Sequence, residues 1–140
     1  MQLPKIRTFN TQLKLNQPHF FILSRGLNSG KPSNKPWTNS FVCICTDEKE
    51  RDFYYWLLFG LWKAKFFVPH LVGSVIPLIR IYDLKAIIEE QALAVRRHEV
   101  EFMQAIEKIK LIEAKEAQIH VQLNLLQSLK RSLIHVNLKH

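Results

Sequence analysis

The segment from Arg25 to Ser40 carries the side chains best suited to recognising another molecule. Its cations can neutralise phosphates, and its amides and hydroxyls can bond base edges or phosphate oxygens. The candidate DNA-binding residues are Arg25, Asn28, Ser29, Lys31, Asn34, Lys35 and Thr38. Trp37 could stack on a base or anchor the loop. The alternative interpretation is an ordinary surface loop, because glycine, proline, asparagine and serine cluster here.

The sequence contains no motif that indicates catalysis. A phosphate-binding glycine loop, an HExxH helix and a nucleophile elbow are all missing. Cys43 and Cys45 are two positions apart, so in a strand they would point to the same face. They could be a chelating or redox pair, or two small apolar residues of the core. We favour the core interpretation. The six histidines are scattered. We therefore predict a protein that is not an enzyme, with no metal site and no cofactor.

The charge is unevenly distributed along the chain. The formal net charge is +8, and no Asp or Glu precedes Asp47, whereas six Lys and Arg residues do. Basic N-terminal segments commonly meet phosphate or acidic lipid, although ordinary solubility explains the charge equally well. We interpret residues 1–18 as a basic N-terminal arm.

Three features predict a cytoplasmic protein without a membrane segment. No apolar stretch follows the first positive residues, as a signal peptide would require. The run from Phe53 to Trp62 is about half the roughly 20 residues needed to span a bilayer. Two cysteines, moreover, make no disulfide framework, which suits a reducing compartment.

Residues 19–83 predict a small α+β head that would position the loop. His19 to Ser24 and the fully apolar Phe41 to Cys45 are typical of strands, the second of a central one. Leu13 and Leu15 allow a short edge strand. A helix, buried on most sides, should begin at Asp47, which with Glu50 resembles a capping box. We expect a further short strand at Leu78 to Tyr82, after Pro77.

Residues 84–138 predict one long helix of the coiled-coil type, with Asp83 as its N-cap. This stretch contains neither proline nor glycine. Apolar residues recur every seven positions in two rows offset by three residues: Ile88, Val95, Phe102, Ile109, and then Ile112, Ile119, Leu126, Leu133. We predict that the first row faces the head of the same chain. The second row would form a homodimer with another copy.

Several segments together resemble the target-recognition domains of type I restriction-modification specificity subunits and the long conserved helix that follows them. The segments are Phe53-Tyr54-Tyr55-Trp56-Leu57, Gly73-Ser74-Val75-Ile76-Pro77-Leu78, Asp83-Leu84, Glu89-Glu90-Gln91, the close LLQSLKRSL at 125–133, and upstream Asn28 to Lys31 and Asn39 to Cys43. The chain is also similar to small proteins of Bacteroidetes and their mobile elements, through ERDFYYWL and VGSVIP. The second similarity implies no function.

The first resemblance implies a shortened half of a specificity subunit. Its head would be about half the usual length, and prolines that usually precede EEQ are replaced by Ile87 and Ile88. We therefore predict a non-enzymatic module that binds duplex DNA and dimerises through its long helix. The alternative is a protein-interaction adaptor that acts through the helix without binding DNA. Such an adaptor would dock a methyltransferase or a restriction subunit, or antagonise their complex.

Overall fold

The computed structural model describes residues 3–138 of the chain. It is an α+β protein, as the sequence predicted, and it divides into two compact units with a boundary between His98 and Glu99. Met1, Gln2, Lys139 and His140 lie outside the described residues, so the start of the predicted arm is not covered. None of the helices in the described part is long and apolar enough to cross a membrane.

The first unit is built on an antiparallel four-stranded sheet with the order β1-β4-β2-β3. The strands are Lys5–Thr8 (β1), His19–Leu23 (β2), Pro32–Ser33 (β3) and Ser40–Ile44 (β4). Both inner strands are buried on both faces, which explains why their sequences are apolar without alternation. The predictions of β2 and of a central β4 are confirmed.

Strand β1 lies where the sequence did not predict one. It pairs with β4 in the register Ile6 to Cys43, and Ile6 is its one buried residue. A single apolar residue between charged neighbours gives too weak a pattern to identify a strand. The edge strand expected at Leu13 and Leu15 does not form. Within the predicted basic arm (residues 1–18), the segment Lys5–Thr8 therefore forms the edge strand of the head.

Helix α1 spans Glu48–Lys63 and begins as the capping pattern predicted. Oδ1 of the N-cap Asp47 accepts a 2.8 Å hydrogen bond from the backbone N–H of Glu50. The Glu50 carboxylate in turn accepts a 2.6 Å bond from the Thr46 hydroxyl. The helix buries five apolar side chains and contacts β2 and β3. The buried set is Phe53, Tyr54, Leu57, Leu58 and Leu61.

Helix α2 spans Ile81–Arg96, and its start differs from the prediction. The prediction of a strand at Leu78 to Tyr82 is wrong, because Leu78 makes only isolated bridges and the helix already begins at Ile81. Asp83 is not the N-cap; it lies in the first turn, where its charge suits the helix dipole. Leu84, Ile87, Ile88 and Ala92 are buried, so the apolar residues follow helical rather than strand spacing.

Helix α3 spans Glu99–Asn137, and it alone forms the second unit as far as the described residues extend. The single helix predicted over residues 84–138 is thus two helices, separated at Arg97 and His98. The N–H groups of these two residues bond the carbonyls three positions earlier, at 3.4 and 3.0 Å. Such a tightened turn needs neither glycine nor proline, so no residue in the sequence marks it. Through Ala114 to Ile119 the helix is continuous.

Candidate nucleic-acid interface

One face of α1 carries a row of half-buried aromatic rings. Successive ring centroids from Tyr55 to Trp56, Phe59 and Trp62 are separated by 5.3, 5.1 and 5.9 Å. Each pair meets edge to face, which is a favourable geometry for aromatic side chains. The rings keep part of their surface open to solvent. Because neighbouring rings are inclined by 61–70°, a planar group could stack on one ring at a time rather than on a shared flat surface.

Basic side chains lie over these rings. The Nζ atoms of Lys63 and Lys31 are 4.8 and 4.9 Å from the centroid of the Trp62 ring. Lys63 is also 5.8 Å from the Phe59 centroid, and the Arg51 guanidinium is 5.4 Å from that of Tyr55. All of these distances are in the range of cation–π attraction. Cations therefore lie against the rings at both ends of this row, at Tyr55 and at Phe59 and Trp62.

The recognition loop, residues 25–40, is attached to α1 at two points. Nε1 of Trp62 donates a 3.3 Å hydrogen bond to Oδ1 of Asn28. Arg51 donates through Nε to the carbonyl oxygen of His19 at 2.8 Å and through its second guanidinium nitrogen to Oδ1 of Asn34. These contacts bring residues 28–34 of the loop beside the aromatic rings. We give the name aromatic–basic surface to this set: Asn28, Lys31, Asn34, Arg51, Tyr55, Trp56, Phe59, Trp62, Lys63 and Lys65.

A cavity of about 430 Å³ lies at the Trp62 end of this surface. Lys63 and Lys65 are its charged residues, and no acidic side chain is among the described residues that line it. The lining is Leu27, Asn28, Ser29, Trp62, Lys63, Lys65, Phe67 and Val68. Apolar walls with a few polar and cationic groups are typical of a site for an anionic aromatic ligand.

Two glycines shape the loop at the cavity. Gly30 has φ +98°, and a Cβ on it would overlap the buried Phe67 ring. Gly26 has φ +95° and donates its N–H to the Pro77 carbonyl at 2.6 Å. Only glycine adopts these backbone angles without strain, so the close approach of Phe67 depends on Gly30.

The predicted DNA-binding residues take different positions. Asn28, Lys31 and Asn34 come together beside the aromatic rings of α1. Ser29 is buried, and its hydroxyl donates a 2.6 Å bond to the Gly26 carbonyl, so it holds the loop turn. The remaining three predicted residues are exposed and take no part in these contacts with α1: Arg25, Lys35 and Thr38.

Sequence reasoning missed the contribution of α1. The apolar run from Phe53 to Phe66 predicts a helix buried on most sides. In the structure, Trp56, Phe59 and Trp62 are three residues apart and only half-buried. The signal was present in this spacing and in the lysines at 63 and 65. Three-residue spacing places side chains on one helix face, apart from the leucines of the core.

The two cysteines belong to the core. Cys43 and Cys45 are both buried, and both are free thiols. Burial raises the pKa of the Cys43 thiol well above its ordinary value, and its hydrogen bond with Cys45 raises it further. A reactive or metal-binding cysteine needs the thiolate, which this environment disfavours. Among residues 3–138 no cluster of three or more His, Cys, Asp or Glu side chains could hold a metal ion.

A second cavity, of about 500 Å³, lies between β1 and α2. It is lined by cations, an acid and apolar residues: Leu3, Pro4, Lys5, Ile6, Arg7, Lys85, Ile88 and Glu89. Its three cations outnumber the Glu89 carboxylate, so charge does not distinguish it from the cavity beside Trp62, but no aromatic ring contributes to its described lining. The cavity beside Trp62 is therefore the better candidate for binding a nucleic acid.

Fold and surface define an α+β protein with a small antiparallel head, a long C-terminal helix and one aromatic–basic face. Residues 6–136 match a family described as a family of unknown function (DUF6943), and the chain belongs to that family. No curated protein and no solved structure matches the chain. The resemblance to restriction specificity subunits therefore stays a prediction.

Proposed function

We propose that the protein is a DNA-binding module that contacts duplex DNA through the aromatic–basic surface. The observation that carries the proposal is the pair of lysines, Lys31 and Lys63, whose ammonium groups lie over the Trp62 ring at 4.9 and 4.8 Å from its centroid. One lysine comes from the loop and the other from α1. Cations held in this way can neutralise phosphates, while the amides of Asn28 and Asn34 can bond phosphate oxygens or base edges.

The proposal is tested by titrating a labelled duplex of about 20 base pairs with the protein at several salt concentrations. Binding should weaken steeply as salt rises, because each phosphate neutralised releases a condensed counterion. Failure to find salt-sensitive binding to any duplex at low ionic strength would overturn the proposal. Lys31 and Lys63 would then be no more than solvated partners of the aromatic rings.

We further propose that two copies pair through α3. The second apolar row is exposed in the single chain: Ile112 by 56%, Ile119 by 52%, Leu126 by 59% and Leu133 by 59%. The charge on the helix favours a second copy running in the opposite direction. Glu116 follows Ile112 by four residues and Lys130 follows Leu126 by four, so both flank the row on the same side.

In an antiparallel pair, Glu116 of one copy faces Lys130 of the other, and the contact occurs twice by symmetry. In a parallel pair in register, Glu116 of one copy and Lys130 of the other are instead 14 residues apart along the helices, or about 21 Å, and cannot pair. The alternative is that a different protein packs against this apolar row, as it would if the chain were an adaptor that docks a methyltransferase or restriction subunit. A protein that stays monomeric at high concentration would favour that adaptor.

A further inference from the structure

We propose that the cavity beside Trp62 takes one unpaired nucleotide, with its base on the Trp62 ring and its phosphate on Lys63 and Lys65. This inference rests on the proposed binding of nucleic acid, and it specifies which part of the nucleic acid enters the cavity. The volume of about 430 Å³ lies within the range of roughly 300–1,000 Å³ typical of small-molecule sites. An intact duplex keeps its bases stacked inside the helix and presents no single base to such a cavity.

The Trp62 ring is held in place by its neighbours. Its Nε1 is bonded to Asn28, and two lysine ammonium groups lie over it within 5 Å of its centroid, so a base that stacks on the ring has to displace at least one of them from that position. A ring fixed in this way loses little conformational freedom when a base stacks on it. Stacking tolerates any base, because every base has a π face, so the cavity would recognise an unpaired state rather than a sequence.

Lys65 provides the second, independent observation. It has φ +62°, a left-handed conformation that is uncommon for residues other than glycine. It occupies the position after the Ala64 C-cap of α1, where its N–H bonds the Trp62 carbonyl at 3.0 Å. The N–H of Phe66 bonds the Leu61 carbonyl at 2.9 Å, which completes a Schellman motif.

Glycine is the usual residue at that position of a Schellman motif. A lysine there is strained in the folded protein, yet its side chain is one of the two cations that line the cavity. Strained residues cluster at sites where the side chain has a task besides stability. In this cavity the task that we assign to Lys65 is to supply positive charge for the phosphate of a stacked nucleotide.

The test compares three labelled DNAs by fluorescence anisotropy: an intact duplex, the same duplex with a central unpaired nucleotide, and that duplex with the unpaired nucleotide made abasic. The protein should bind the unpaired nucleotide at least about tenfold more tightly than either of the others. Trp62→Ala should abolish this preference, and Trp62→Phe should retain part of it. Lys65→Gly should reduce the preference severalfold while raising the melting temperature.

Lys49→Ala is the matched control, since it removes one charge from the exposed first turn of α1 and should leave the preference unchanged. Equal affinity for all three DNAs would overturn the inference and leave the proposed duplex binding intact. A preference that survives both Trp62→Ala and Lys65→Gly would overturn the assignment to this cavity. Absence of binding to every DNA would overturn the proposed function itself, and the inference with it.

Discussion

Trp62 of α1 and Asn28 of the recognition loop are joined by a 3.3 Å hydrogen bond from the indole nitrogen to the amide oxygen. These residues are 34 positions apart in the chain, and their contact fixes the loop beside the aromatic rings. Neither partner is central to the hydrophobic core: Asn28 is exposed and Trp62 is half-buried. The bond therefore joins the loop to α1 at the surface of the head rather than in its core.

Asn28→Ala should weaken DNA binding severalfold, because the loop and the Trp62 ring are no longer held together. The free energy of unfolding should fall by no more than about 1 kcal/mol, as for a single exposed hydrogen bond. Asn10→Ala is the control, because it removes a comparable exposed bond to the backbone N–H of Gln12. Equal effects of the two variants on DNA affinity would contradict the role given to Asn28.

Lys31→Gln and Lys63→Gln should each weaken DNA binding and flatten its salt dependence. The slope of log K against log salt should change by about 1 for each phosphate that is no longer neutralised. Lys108→Gln, on the exposed surface of α3, removes the same charge away from the aromatic–basic surface and should leave the slope unchanged. A uniform change in all three variants would show a non-specific effect of net charge.

Gly30→Ala should destabilise the head more than Gly26→Ala. Both positions have positive φ, so each alanine costs about 1–2 kcal/mol in backbone strain. A Cβ at Gly26 meets nothing within 4 Å, whereas one at Gly30 overlaps the Phe67 ring. That overlap should add about 1–3 kcal/mol. Urea unfolding of the two variants measures the difference, and equal midpoints would mean that Phe67 moves aside without cost.

The head should lose stability as pH rises above about 8.5, the ordinary pKa of a cysteine thiol. Burial raises the pKa of Cys43, so the folded state keeps a proton that the unfolded chain releases. The free energy of unfolding then falls by about 1.4 kcal/mol per pH unit for this one group. Burial also raises the pKa of Tyr54, partly offset by the hydrogen bond from Arg96, which adds a loss above about pH 10.

Cys43→Ala should remove the first of these pH-dependent losses, although it lowers stability at neutral pH by leaving a cavity. Denaturant unfolding from about pH 7 to about pH 10 gives the slope for both proteins. An unchanged slope in Cys43→Ala would show that another group titrates in this range.

The double variant Ile119→Asp and Leu126→Asp should dissociate the proposed dimer and leave the head folded. Placing charge on an apolar row costs several kcal/mol when the row is buried against a second copy. Sedimentation equilibrium reports the mass, and near-ultraviolet circular dichroism reports the aromatic packing of the head. Ala117→Asp with Asn124→Asp adds acids to the opposite helix face and should leave the dimer intact. A collapsed head would contradict the assignment of this row to a second copy.

The antiparallel direction has its own test. Glu116→Lys should weaken the pair through repulsion with Lys130 of the second copy, and the further change Lys130→Glu should restore it. Restoration measures the coupling between the two positions directly. If the second change weakens the pair further, the two residues do not face each other.

The inner strands and the start of α1 were predictable because the physical signal is local. Phe20 to Ile22 and Phe41 to Cys43 are apolar on both strand faces, and Asp47 caps its helix through a neighbour three residues away. The edge strand β1 was not predictable, since Ile6 alone faces the core and its partner Cys43 is 37 residues distant. The break between α2 and α3 at Arg97 and His98 also left no mark in the sequence, because most residue types can adopt the tightened last turn of a helix.

Only the loop half of the candidate surface could be predicted from the sequence. Asn28, Lys31 and Asn34 were identified by their chemistry, which needs no knowledge of the fold. Their partners Arg51 and Trp62 are brought to them by the packing of α1 against the sheet, and residue type alone does not reveal that contact. Ser29 shows the converse, since its hydroxyl is used within the turn.

The loop between the two inner strands is closed at its base by the 3.1 Å bond from the Ser24 N–H to the Asn39 carbonyl. Strand register on either side is fixed by buried residues rather than by the loop. The buried Ser40 hydroxyl accepts a 2.7 Å bond from the Trp37 N–H and donates one of 2.7 Å to the Trp37 carbonyl, so Trp37 is tied to the start of β4. The side chains of Lys35 and Pro36 are exposed and can be exchanged without altering the core. This end of the loop can therefore change its exposed side chains while the framework of buried strands stays the same.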